Sequence, residues 1–341
     1  MSETLVGIVG YSGYSGAELV SLLSKHPRVE PVLLEHREGG DSPRPLVKVG
    51  LGNDGPRRLP CSADSVRSAC LAAVFLATPP EVSIELAGPM LAAGAKVIDL
   101  SGAFRLGTAE NYQRWYKEPH TQPELLKEAV YGLPEFCRGR VAAARLISNP
   151  GCYPTAANLA IKPLIEAGAI ARESGIVCDA KSGVSGAGRK ASLKTSFCEV
   201  TENFSAYSIL DHRHVPEVLR TSGLDEAEFS FTAQLIPIHR GILETIYFRA
   251  TEQISSAEDL LAIYRGRYAA EPFVRLYASG QVPDLHSVAH TNFCDIGFKY
   301  DEDTRRVVVV SVIDNLVKGA AGQAIQNMNL VLGYPETAGL L

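Results

Sequence analysis

The sequence predicts an α/β protein in two parts. The first is a doubly wound parallel sheet over about the first 149 residues, and the second an α+β part with mostly antiparallel strands. Three observations carry this. The N-terminal half alternates short apolar runs with segments of helical spacing, as parallel strands joined by helical crossovers do. The second half carries strand-like runs in succession, two of them flanking the turn Asp301-Glu302-Asp303-Thr304. At 341 residues the chain exceeds one typical domain and suits two.

Leu5–Val9 reads as the first strand and Ala17–Leu23 as the first helix, with Gly10-Tyr11-Ser12-Gly13-Tyr14-Ser15-Gly16 between them. Strand, Gly-rich turn, helix is the dinucleotide-binding context: the glycines admit a pyrophosphate and the helix N-terminus favours its charge. The spacing is G-x-x-G-x-x-G, with Ser12 where the usual fingerprint has its middle Gly. The second strand, Val29–Leu34, ends at Glu35-His36-Arg37. An acid here accepts a ribose 2′-OH and an Arg accommodates a 2′-phosphate, so Arg37 points to NADP, with Glu35 directed away. Residues 39–60 read as loop. Ala72–Ala77 reads as a buried strand before Thr78-Pro79-Pro80, Glu81–Ala93 as helix and Lys96–Leu100 as strand. The strand ends at Thr78-Pro79 and at Ser101–Arg105 should line the ligand crevice, where Arg105 can clamp an anion.

Val141–Ile147 reads as strand and Ala156–Ile161 as helix, continuing to about Ala167 with a kink at Pro163. Between them runs Ser148-Asn149-Pro150-Gly151-Cys152-Tyr153-Pro154-Thr155, turn chemistry that puts Cys152 at a helix N-terminus. Unpartnered N–H groups there make a thiol more acidic and can hold an oxyanion. The bland alternative is an inert buried Cys. Ile176–Ala180 reads as strand. The loop from Lys181 to Arg189, with Ser182, Gly183, Ser185 and Gly186, is either a flexible linker or an anion cradle; the cations at its ends favour the cradle. Tyr207–Val218 holds His212-Arg213-His214. Phe229–Pro237 and Ile242–Ala250 read as strands joined through Ile238-His239-Arg240-Gly241, and Ser256–Ala270 as helix. Asn292–Tyr300 and Arg305–Val312 form a hairpin, and the last helix is Leu316–Leu330.

Composition excludes several classes. Hydrophobic content of 46% and charged content of 21% suit globular cores, and a net charge of −5 gives no reason to expect nucleic acid or an anionic membrane as partner. The N-terminus has no signal-peptide pattern, and no apolar run approaches the roughly 20 residues of a spanning helix. Seven cysteines without C-x-x-C pairs fit a reducing cytoplasm, and no metal is expected.

The turn at Gly10–Gly16, the Asn149–Thr155 segment, His212-Arg213-His214 with Pro216-Glu217, and Asn315-Leu316-Val317-Lys318-Gly319-Ala320-Ala321-Gly322-Gln323 occur in one order. Together they closely resemble the N-acetyl-gamma-glutamyl-phosphate reductase family of arginine biosynthesis, over essentially the whole chain. That family is similar to aspartate-semialdehyde dehydrogenase. The resemblance implies a Rossmann-type NADP-binding domain, residues 1–149 and 315–341, and an α+β catalytic and oligomerisation domain, residues 150–314. It also implies a homotetramer. Cys152 matches the nucleophile, and Asn315, Lys318 and Gly319 lie in a segment near the cofactor. The family commonly has Asp where this chain has Ala103.

The implied reaction is NADPH-dependent reductive dephosphorylation of an acyl phosphate through a Cys152 thioester, with phosphate released. A His must move the proton. His214 is the first choice, His212 the second and His239 the rival. Arg105, Arg189 and Arg213 compete for phosphate and carboxylate, with Asn149, Ser185 and Gly186 also on the substrate; Thr78, Pro79, Ser182 and Gly183 are assigned to the cofactor. The alternative within the enzyme class is a related acyl-phosphate reductase acting on an aminoadipyl, carrier-linked or aspartyl phosphate. A Cys hydrolase would not need the Gly-rich turn, and a non-catalytic NADP sensor would need neither Cys152 nor His214.

Overall fold

The computed structural model describes residues 3–36 and 55–341. The chain divides into two compact units: Met1–Tyr112, Pro119–Asn149 and Ala321–Leu341 form the first, and Gln113–Glu118 with Pro150–Ala320 the second.

The first unit is built on a parallel sheet. Its strands are β1 (Thr4–Val9), β2 (Val29–Glu35), β3 (Arg58–Pro60), β4 (Ala73–Leu76), β5 (Lys96–Asp99), β6 (Val130–Tyr131) and β7 (Leu146–Ser148), in the order β3-β2-β1-β4-β5-β7-β6. The helices are α1 (Tyr14–Leu23), α2 (Ala63–Ser68), α3 (Pro80–Ala92), α5 (Pro123–Glu128) and α6 (Pro134–Ala143); α4 (Ala109–Tyr116) runs from this unit into the next. The central strands are apolar throughout because both faces are covered. The order reverses between β1 and β4, which opens a crevice at their carboxyl ends. Val6, Ile8, Leu19, Phe75 and Ile98 pack with Ala324, Ile325 and Met328 of the C-terminal helix α11 (Gly322–Val331), so the end of the chain completes this core.

The second unit holds a mixed sheet. Its strands are β8 (Ile176–Gly183), β9 (Ser205–Tyr207), β10 (Phe229–Ile236), β11 (Ile242–Arg249), β12 (Val274–Leu276), β13 (Cys294–Asp301) and β14 (Arg306–Ile313), in the order β12-β13-β14-β11-β8-β10-β9. The pairs β8–β10 and β12–β13 are parallel and the others antiparallel. Helices α9 (Val215–Ser222) and α10 (Ala257–Tyr268) each pack on α7 (Cys152–Glu166), which lies against β11 and β14; a short α8 (Phe197–Val200) falls between β8 and β9 in the chain. Along β11, Ile242, Ile246 and Phe248 turn inward, while Tyr247 and its β8 neighbour Val177 stay exposed on the other face.

Two expectations change. The apolar run 141–147 is not one strand: Val141-Ala142-Ala143 ends α6, and the strand starts at Leu146. Alanine favours helix, and a run of small residues carries no strand preference of its own. The last helix begins at Gly322, since Val317–Ala321 forms a π-helical turn. Residues 315–320 therefore remain with the second unit.

Candidate active site

Cys152 is the first residue of α7, and Gly151 caps it in extended conformation. The first-turn N–H groups of this 15-residue helix lack intrahelical partners, so the sulfur is carried at the positive end of the helix. Two contacts fix its surroundings. A methyl group at Gly319 would lie 2.8 Å from Cβ of Cys152, so the π-helical turn presses its backbone against the thiol-bearing carbon. A methyl at Gly151 would lie 2.7 Å from Nε2 of His214, so the imidazole rests on the residue ahead of the thiol. A larger residue at either place would have to displace Cys152 or His214.

His214 sits at the N-cap of α9. One turn on, buried Glu217 accepts the Gly151 N–H at 2.9 Å through Oε2, while Oε1 is 3.9 Å from His214 Nε2. One carboxylate thus holds the cap of the nucleophile's helix and faces the imidazole. His212 plays a different part. Its Nδ1 accepts the backbone N–H of His214 at 3.2 Å, and its ring packs edge-on against Tyr153, Tyr207 and His214. Burial, with Arg213 beside it, pushes its pKa down to about 4, so it is neutral at pH 7 and orients His214. Arg213 between them is exposed. Tyr153 and Tyr207 join hydroxyls at 3.0 Å, and burial raises both phenols, Tyr207 to about 12.

The neutral His212 makes stability depend on pH. In the unfolded chain the ring protonates as pH falls through 6.5, whereas the folded state resists until about 4. Stability is therefore complete above pH 6.5 and falls between 6.5 and 4, by on the order of 3 kcal/mol for this group. Urea titrations at pH 7 and 4.5 should show that His212→Gln, which keeps an acceptor but cannot titrate, loses less stability in acid than the wild type. Equal losses would remove His212 as the cause.

The Ser182–Gly183 loop is anchored rather than loose. Asn315 donates from Nδ2 to Ser185 Oγ at 3.0 Å and accepts the Gly241 N–H at 2.7 Å. The N–H groups of Val184 and Ser185 go to the carbonyls of Ile238 and His239. Ser182 and Ser185 are buried, whereas Gly186 and Arg189 are exposed. His239 is exposed, and its carbonyl accepts the Ser185 N–H. Lys318 is fully buried with Nζ 5.6 Å from the centre of the Phe273 ring, which puts its side chain in the second unit's core rather than at an open cofactor surface.

In the first unit the Gly-rich turn has the shape a pyrophosphate requires. Gly10 has φ +79°, and a methyl there would lie 2.2 Å from the Ala77 carbonyl oxygen; one at Gly16 would lie 2.2 Å from that of Gly10. α1 starts at Tyr14 after the Gly13 cap and has no acid in its first turn, so Ser12, Tyr14 and Ser15 sit at its positive end, where first-turn N–H groups lack intrahelical partners. These residues fit a dinucleotide. Glu35 at the end of β2 pairs with Arg58 at 3.2 Å and meets the Tyr11 hydroxyl at 3.4 Å. Arg37 lies outside the described residues. Thr78 bonds Ser83 across the start of α3, which Pro79 caps. Arg105 is buried, with Nε donating to the Asn149 carbonyl and Nη2 to that of Leu100. Ala103 is fully buried, and its carbonyl meets Nε2 of His120 at 3.0 Å.

Residues 5–144 match the semialdehyde dehydrogenase NAD binding domain, and residues 152–315 the semialdehyde dehydrogenase dimerisation domain. The N-acetyl-gamma-glutamyl-phosphate reductase of Symbiobacterium thermophilum is 48% identical over 98% of this chain and 97% of its own length. The chain belongs to the N-acetyl-gamma-glutamyl-phosphate reductase family. A family member from Geobacillus stearothermophilus is 47% identical over 100% of this chain and 98% of its own. The fold extends further. Aspartate semialdehyde dehydrogenase II of Vibrio cholerae, solved with ASA, superposes with a TM-score of 0.72 at 17% identity, covering 98% of this chain and 99% of that one. The enzyme of Candida albicans, solved with NADP, superposes at 0.68 and 17% identity, over 97% and 99%. The chain is thus an oxidoreductase with a nicotinamide-binding domain. Within this family member, sequence reasoning missed Glu217, Tyr153, Tyr207 and Arg58 as site residues. Pro216-Glu217 stood in the motif, but only the fold shows that its carboxylate reaches Gly151.

Proposed function

We propose that the protein reduces N-acetyl-gamma-glutamyl phosphate with NADPH, giving N-acetylglutamate 5-semialdehyde and phosphate, a step of arginine biosynthesis. The observation that carries the residue roles is the His214 ring resting on Gly151, directly ahead of Cys152, with Glu217 behind both. His214 takes the thiol proton, and the Cys152 thiolate attacks the acyl carbon. A C–S bond forms, the bond from carbon to the phosphate oxygen breaks, and a thioester remains. The helix N–H groups at α7 hold the oxyanion at this and the following step. When bound, NADPH supplies the hydride that turns the thioester carbon into a thiohemiacetal. His214 then returns its proton as the C–S bond breaks and the aldehyde leaves. Asn149, Ser185 and Arg213 are read as substrate contacts, with Gly186, Arg189 and Arg105 beside them.

The discriminating assay is phosphate-dependent NADP reduction with N-acetylglutamate semialdehyde against aspartate semialdehyde. Preference for the second overturns the substrate assignment.

In the first unit the Gly10–Gly16 turn and Thr78-Pro79 would hold the cofactor. The finer choice of NADP rests on Arg37 and Arg58, the latter also neutralising Glu35. Losing one charged contact to a 2′-phosphate costs about ten- to a hundredfold in affinity. Arg37→Ala and Arg58→Ala should each weaken NADP more than NAD; a wild type that uses NAD equally well contradicts this assignment.

The assembly is read as a homotetramer working in the cytoplasm, where its seven free cysteines stay reduced. Exposed Val177 and Tyr247 on the uncovered sheet face support association. No helix among the described residues is long and apolar enough to cross a membrane. Sedimentation equilibrium should give four copies at micromolar concentration; a monomer throughout contradicts it.

A further inference from the structure

Strand β14 ends at Ile313, and the next residue, Asp314, is fully buried. Its carboxylate gathers N–H donors from three parts of the second unit. Oδ1 accepts the backbone N–H of Leu316 at 2.9 Å and that of Val317 at 3.2 Å. Oδ2 accepts the His290 N–H at 2.7 Å and Nη1 of Arg240 at 3.1 Å. The Asp314 carbonyl accepts the Gly319 N–H at 2.9 Å, across the five-residue spacing of a π-helical turn. One residue thus ties the start of the turn Val317–Ala321 with its side chain and the middle of it with its backbone.

What this turn carries to the site is Gly319. A methyl there would lie 2.8 Å from Cβ and 3.3 Å from Cα of Cys152, so the Gly319 backbone closes one side of the nucleophile. Cys152 needs such a neighbour. In the body of a helix the preceding turn limits χ1, but Cys152 is the first residue of α7 and has no preceding turn. A sulfur free to swing through every staggered position would spend part of its time away from the N–H groups of the helix.

We infer that Asp314 is a positioning residue for the nucleophile: by fixing the π-helical turn it holds Gly319 against Cys152 and keeps the sulfur at the N-terminus of α7. The inference rests on the proposed reading of Cys152 as nucleophile. A carboxylate suits the place because both its oxygens only accept. An Asn here would turn its NH2 group either on Leu316 and Val317 or on His290 and Arg240. N–H would then face N–H in a buried place, and the turn would lift from Cys152.

The test alkylates the full chain with iodoacetamide from about pH 5 to about pH 10, before cofactor is added, and follows Cys152 by peptide mass spectrometry. In Asp314→Asn the rate at pH 7 should fall several-fold, because the pH midpoint rises toward the value of an ordinary thiol, about 8.5. The rate on the alkaline plateau should stay that of the wild type; a general loosening would alter that plateau and leave the midpoint alone. Turnover should fall about tenfold to a hundredfold with the KM for the cofactor unchanged. Gly319→Ala leaves Asp314 intact and pushes on Cys152 directly. It should move the midpoint in the same direction, and it serves where Asp314→Asn fails to fold. In the Asp314→Asn background the same methyl should cost less, because the released turn can yield. A wild-type midpoint in either single variant overturns the inference, as does a Gly319→Ala effect undiminished in the double variant. Near wild-type turnover in Cys152→Ser would instead remove the nucleophile reading itself, and with it anything for Asp314 to position.

Discussion

Replacing Cys152 with Ser should abolish turnover while NADPH still binds. An alkoxide is far harder to form than a thiolate, and as a leaving group in the last step it is much poorer. The cofactor turn at Gly10–Gly16 belongs to a different unit, so its affinity should be unchanged. The same chemistry predicts a labelling order. With iodoacetamide at pH 7, Cys152 should react first, because its sulfur is carried at the N-terminus of α7. Burial, with Glu85 nearby, pushes the Cys61 thiol up to about 11, and burial raises Cys137 and Cys178 as well. Cys294 is buried outright. Cys70 and Cys198 are exposed and so separate access from activation. Labelling of Cys152 no faster than of those two would remove the activated thiolate, and a Cys152→Ser enzyme with near wild-type turnover would remove the covalent route.

The second large effect is expected at His214. His214→Ala should lower kcat about 10²- to 10⁴-fold, the usual contribution of a positioned acid/base. The KM for NADP should stay as it is. His212→Gln should cost much less, since His212 acts on His214 through a backbone hydrogen bond that Gln can still accept. If His212→Gln proves the more damaging, the two roles are exchanged. Glu217 separates a structural duty from an electrostatic one. Glu217→Gln keeps an oxygen for the Gly151 N–H but loses the charge facing His214, so activity should fall with folding preserved. Glu217→Ala leaves that N–H unpaired in a buried place and should cost about 1–3 kcal/mol of stability besides. Circular dichroism melts beside rates distinguish the two, and equal melting of both variants would refute the capping duty.

The sequence by itself determined the local things. The strand–turn–helix at Gly10–Gly16 and the helix beginning at Cys152 follow from glycine, proline and apolar periodicity over a few residues, and these act through the backbone of the same segment. The alternation of elements was enough for two kinds of sheet. What only the tertiary structure decided involves residues far apart in the chain. The sequence put His214 first, His212 second and His239 as rival on the density of the His-Arg-His cluster; only the fold shows that the His214 ring rests on Gly151, that His212 is buried and neutral and that His239 is exposed. The sequence offers Arg105 as an anion clamp; that its guanidinium also reaches the carbonyls of Leu100 and Asn149 is something no local pattern reveals. Lys318 looked like a cofactor contact, yet a π-helical turn sends its side chain into the core and leaves Gly319 against Cys152. Hydrogen-bond partners across such separations are chosen by packing, because a buried polar group must find a partner wherever the fold brings one.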